Sequence, residues 1–67
     1  MYKFKQEKID EIKNKYKISY IADKIGISRE YLSYILHNQC NCKKTTAYSI
    51  TKAIDESKEI DYFFVQL

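Results

Sequence analysis

A single glycine interrupts these 67 residues, and no proline does. Most chain reversals must therefore be made without the usual punctuation, so the place of Gly26 constrains the fold more than any other residue. It stands in "ADKIGIS", between two stretches of helical spacing. Before it, Ile18, Ile21, Ala22 and Ile25 follow the i, i+3, i+4, i+7 rule; after it, Leu32, Ile35 and Leu36 gather on one helical face. Gly26 suits the left-handed position that follows a helix C-terminus, because it lacks the Cβ that would clash there. Ile27 then folds back onto Ala22 and Ile21 and sets the angle between the helices. Ser28 caps the second helix by accepting a backbone N–H bond, with Glu30 in its first turn. The spacing predicts helices over 18–25 and 28–37, one ending and the other beginning within three residues.

Three further stripes show the same period. Ile9, Ile12 and Tyr16 predict a helix over 3–15, to which Phe4 attaches loosely. Ala47, Ile50, Thr51 and Ile54 predict one over 44–55, and Ile60, Phe63, Phe64 and Leu67 one over 60–66. Strand-like alternation is absent, so the fold class expected is all-α, five short helices in a single domain over 1–67. At 45% hydrophobic residues the chain can fill one core, near the smallest size that holds without disulfides or metal. The opening "MYKFKQEKID" is too charged for a signal peptide, and the longest apolar run is "YFFV". No targeting segment and no membrane partner are expected. The expected setting is cytoplasmic, where both cysteines stay reduced.

The net charge of +3 conceals a polarity. Residues 1–52 carry 11 Lys and Arg against 5 Asp and Glu, whereas residues 53–67 carry Lys58 against Asp55, Glu56, Glu59 and Asp61. A basic body with an acidic end suits a protein that turns one side to a polyanion, although a lysine-rich chain also reaches such an imbalance by chance. The helix over 28–37 sharpens the point. Its outer face holds Arg29, Glu30, Ser33, Tyr34 and His37, where an ordinary surface helix would carry Glu and Lys. These side chains make directional hydrogen bonds and stacking contacts.

At these residues the chain resembles a known family. "YIADKIGISREYLSYIL" is similar to the helix-turn-helix of the lambda-repressor and Cro-type DNA-binding proteins, and the resemblance covers about Ile18 to Ile54. It implies a compact lambda-repressor-like domain whose helix after the glycine lies in the major groove of DNA. Carried over position by position, it makes Arg29, Glu30, Ser33 and Tyr34 the base-facing residues, with Ser28 and His37 nearer the backbone. Two departures stand out. Family members begin the first helix of the pair with a Ser or Thr cap and a glutamine that holds a phosphate; here Lys17 and Ile18 occupy those places, leaving Lys17 or Ser19 for that contact. The turn after the second helix often holds glycine, but here reads "HNQCNCKK", in which Asn38 best tolerates a left-handed conformation.

The chemistry agrees with that assignment. Arg29 can donate two parallel bonds to guanine O6 and N7, Ser33 can bond a base edge or a phosphate, and Tyr34 offers its ring to a thymine methyl. A ligand-free alternative is a solvated face with Glu30 paired to Arg29 or Tyr34. Lys43 and Lys44 admit two readings. Either they open the helix over 44–55 and hold a phosphate together with the free N–H groups of Thr45 and Thr46, or that helix starts at Thr45 and they belong to a solvated loop. Asn38, beside His37, completes the set of backbone contacts.

Cys40 and Cys42, with His37 upstream, invite a metal reading, but no second ligand pair accompanies them, so no metal and no cofactor are expected. With one histidine, no glycine-rich phosphate loop and no carboxylate pair in a discernible cleft, the chain is not expected to be an enzyme. Two functions remain. One is a small Cro-like transcriptional regulator of phage or mobile-element type, bound as a homodimer to a palindromic operator, partly through residues 60–67. The other is a helix-turn-helix domain reused to bind a protein, such as a host enzyme that it inhibits.

Overall fold

In the computed structural model, which describes residues 1–67, Gly26 has φ +78° and its N–H and that of Ile27 both donate to the Ala22 carbonyl, at 2.9 and 3.1 Å. Ser28 Oγ accepts from the Tyr31 N–H at 3.0 Å. One residue thus stops a helix and another, two positions on, starts the next. Around this junction the elements run β1 (Tyr2–Phe4), a 3-10 turn (Gln6–Lys8), α1 (Ile9–Lys15), α2 (Ile18–Ile25), α3 (Arg29–Leu36), α4 (Lys44–Ile54), α5 (Ile60–Phe63) and β2 (Phe64–Gln66).

The stripes predicted for the middle of the chain face inward. Ile21 and Ala22 of α2, Leu32, Ile35 and Leu36 of α3, and Ala47, Ile50 and Thr51 of α4 are fully buried, with Ile54 nearly so. α2 packs against both α3 and α4, and Ala22 keeps the approach close. Burying each Leu or Ile side chain contributes about 1.5–3 kcal/mol relative to exposure, so losing one would remove much of a small domain's stability. Thr51, the one buried polar residue, is satisfied by its own helix: Oγ1 donates to the Ala47 carbonyl at 2.9 Å.

The two ends of the chain correct the all-α expectation. Residues 3–15 do not form one helix, because Tyr2–Phe4 is a strand and the helix proper begins at Ile9. Residues 60–66 do not form one either: α5 is a single turn that gives way to β2. The strands pair antiparallel, Tyr2 with Gln66, Lys3 with Val65 and Phe4 with Phe64. On its other edge β1 is closed by Cys42, which exchanges two backbone hydrogen bonds with Tyr2, at 2.7 and 3.0 Å. The cause lies in three phenylalanines. Extended backbone at each end lets Phe4 stack on Phe63 at 6.2 Å and meet Phe64 edge-on at 5.3 Å, and all three rings are buried. Leu67, expected to share that stripe, is 63% exposed. The last segment therefore commits Phe63 and Phe64 to its own core and presents no continuous apolar helix face. The result is a compact helical domain with a small two-stranded sheet. No helix is long and apolar enough to cross a membrane.

Candidate functional site

The end of α3 is built without glycine. Asn38 takes φ +59°, the left-handed conformation expected of it, and donates its N–H to the Ile35 carbonyl, while Gln39 donates to Tyr34 and His37 to Ser33. This is the Schellman arrangement, with asparagine in the place glycine usually fills. The remaining terminal carbonyl, that of Leu36, accepts from the Gln6 side chain at 2.8 Å. Ser28 thus caps one end of α3 and these bonds close the other.

Arg29, Glu30, Ser33 and Tyr34 come together on that face. They line one open groove with Ile18 and Ser19 from the start of α2. Arg29 and Glu30 are exposed, Ser33 is half-buried, and Tyr34 is 51% exposed. No ion pair joins Arg29 to Glu30; the molecule's salt bridge is Lys8 to Glu11, at 3.9 Å. Arg29 and Glu30 thus carry no ion-pair partner, whereas Ser33 Oγ lies 3.3 Å from His37 Nδ1. Ile18 is the groove residue that sequence spacing misses. It belongs to the core stripe of α2, and nothing in its periodicity distinguishes an aliphatic that also borders a groove.

The flanking residues divide. Lys17 is the exposed N-cap residue of α2 and makes no side-chain cap bond. Ser28 uses its oxygen for the cap, which leaves its hydroxyl proton to donate. His37 is turned onto its own helix, with Nδ1 2.8 Å from the Ser33 carbonyl oxygen and 3.3 Å from Ser33 Oγ. A carbonyl oxygen only accepts, so Nδ1 is the donor of that bond. Asn38 Oδ1 is buried without a partner, so that oxygen faces inward.

Lys43 and Lys44 begin α4 as in the first of their two readings. Lys43 is the exposed N-cap residue and Lys44 the first helical one. Ala47 donates the first intrahelical bond, to the Lys43 carbonyl, which leaves the N–H groups of Lys44, Thr45 and Thr46 without a backbone acceptor. Neither lysine lines the α3 groove. Lys44 borders a separate depression with Tyr2, Tyr48, Glu59 and Asp61 and forms no ion pair with either carboxylate.

The thiols have different surroundings. Cys42 is buried where it anchors β1, and burial, with Cys40 beside it, pushes its thiol up to about 11. Cys40 is half-buried and packs against the core; both are free. No three His, Cys, Asp or Glu side chains gather around a common point.

No family model matches the chain, and no curated protein or solved structure matches it.

Proposed function

We propose that this protein binds double-stranded DNA sequence-specifically, as a small cytoplasmic transcriptional regulator of the Cro-like, phage or mobile-element kind. On this reading α2, the Gly26 turn and α3 form a helix-turn-helix, with α3 in the major groove. The observation that carries the proposal is the groove itself: Arg29, Glu30, Ser33 and Tyr34 from α3 line it with Ser19 from α2, beside a turn capped at both ends. Arginine matches guanine, glutamate matches the amino group of cytosine, and serine serves either edge or a phosphate. Lys17, Ser28 and Lys43 supply donors to the backbone on either side, with weaker parts for Lys44 and His37, and none for the inward-facing Asn38 oxygen. The surplus of basic residues over 1–52 supplies the long-range attraction to a polyanion. One such helix reads only a few base pairs, so two copies on a palindromic site, with half-sites about 34 Å apart, give useful specificity.

Selection of bound duplexes from a random pool tests the reading directly. The expected outcome is one enriched motif, bound with steep salt dependence. Affinity for duplexes that is equal across all sequences would reject sequence-specific reading. Binding to no duplex, together with tight capture of a protein partner indifferent to Arg29→Ala, would move the protein-binding alternative ahead.

A further inference from the structure

Ile18 is the one side chain lining the α3 groove that has nothing to offer a hydrogen-bonding partner. It is the first residue of α2, half-buried, packed on one side against the core and bordering the groove with Ser19, Arg29, Glu30, Ser33 and Tyr34. A phosphate is a poor occupant at that point, because aliphatic carbon strips water from the anion and returns no donor. The ring of Tyr34, half exposed in the same groove, adds a second apolar surface. The groove therefore combines hydrogen-bonding groups with two apolar surfaces, one from α2 and one from α3.

Along the major-groove edges of the four base pairs, the apolar group is the C5-methyl of thymine. We infer that Ile18 and Tyr34 form the seat for a thymine methyl, and that Ile18 is a specificity-determining residue acting from α2 on a base pair beside those that Arg29 and Glu30 read. The inference rests on the proposed docking of α3 in the major groove, and it gives α2 a part in base readout beside α3. Removing the methyl while keeping every hydrogen-bonding group isolates the effect.

The experiment takes the duplex enriched by selection and replaces its thymines one at a time with uracil. Burial of one methyl is worth about a fourfold change in affinity. Uracil at one position of the half-site is expected to weaken binding by about fourfold, and at the others by little. The same duplex pair is then bound by Ile18→Ala and, because Ile18 also touches the core, by Tyr34→Ala at an exposed position. Each variant is expected to shrink the thymine-to-uracil difference while still preferring the enriched motif over random duplex. If no thymine is sensitive, or if the difference survives undiminished in both variants, the seat is elsewhere and the inference fails while specific DNA binding stands. If no duplex binds, both fail together.

Discussion

The side-chain amide of Gln6 donates a 2.8 Å hydrogen bond to the carbonyl oxygen of Leu36, the last residue of α3. It joins residues 30 positions apart and ties the turn before α1 to the end of the helix proposed to read DNA. Four carbonyls at that end, those of Ser33, Tyr34, Ile35 and Leu36, then all have donors. Gln6→Ala removes one and is expected to cost about 0.5–1.5 kcal/mol, read as a lower urea midpoint. Gln6→Glu is expected to cost more, since a carboxylate there faces the negative end of a helix dipole. Midpoints equal to the parent's in both variants would show that the bond contributes nothing.

Gly26 makes a sharper prediction because two causes separate. A Cβ built on it meets nothing within 4 Å, so an alanine methyl there creates no clash with the surroundings. The penalty is confined to the backbone at φ +78°. Gly26→Ala is expected to destabilise by about 1–2 kcal/mol, Gly26→Val by more, and Gly26→Asn by less, since asparagine tolerates the left-handed region. Thermal melting orders the three. A valine variant melting with the parent would mean that residue 26 is not left-handed.

The same junction explains why the middle of the fold is legible in the sequence. The stripes of α2, α3 and α4 each repeat several times, and Gly26 and Ser28 mark a boundary with local chemistry, so these helices lie where the sequence places them. Local chemistry also picks out Asn38. The ends of the chain escape such reasoning because Tyr2–Phe4 and Phe64–Gln66 are strands of three residues, too short to show a period of two. Their pairing partners lie at opposite ends of the sequence, and Ile60, Phe63 and Phe64 have helical spacing even though the helix ends between the two phenylalanines. The polar face of α3 is legible as what its buried stripe leaves over. Ile18 at the groove, and Gln6 at the Leu36 carbonyl, depend on tertiary neighbours that spacing does not reveal.

Cys42 links stability to alkaline pH. Its thiol is raised from the ordinary 9.0 to about 11, first by burial and then by Cys40 beside it. The folded state thus holds the proton more tightly than the unfolded chain does. That contribution is fully present below pH 9.0 and is lost as pH rises through about 11. The fall in denaturation midpoint across that window is expected to be steeper in the parent than in Cys42→Ala, which lacks the titration. Cys40→Ser, at a half-buried position, is expected to leave DNA binding near the parent's. Stoichiometric zinc in the purified protein, removed along with DNA binding on replacing the cysteines, would reverse that expectation.

The proposed function includes assembly on DNA, because one α3 reaches only a few base pairs. Two copies per selected duplex are expected, each on one half of a palindrome. Phe63 and Phe64 are buried within their own chain, so Val65 and Leu67 are the exposed apolar side chains that the last segment retains for a contact between copies. Sedimentation of the complex gives the stoichiometry, and one chain per duplex would end the homodimer proposal.

Base reading and phosphate anchoring are separable at Arg29 and the two lysines of α4. If Arg29 pairs with guanine O6 and N7, Arg29→Ala costs about 1–3 kcal/mol on the selected site and relaxes preference at one base pair. On random duplex only the missing charge is felt. Lys43 differs, since it stands exposed at the start of α4 beside N–H groups without backbone acceptors. Lys43→Ala is expected to weaken specific and random binding alike, and to flatten the slope of log K against log salt by about 0.9, the share of one neutralised phosphate. Lys44 shares its depression with Glu59 and Asp61, so Lys44→Ala is expected to change the slope less than Lys43→Ala does. Titrations of the three variants on both duplexes over a range of salt give the whole pattern. An equal loss on every duplex for Arg29→Ala makes Arg29 an anchor and removes it from base reading. A larger slope change for Lys44 than for Lys43 would place the phosphate on the acidic side of the α4 terminus, and the docking with α3 in the major groove would then have to be turned.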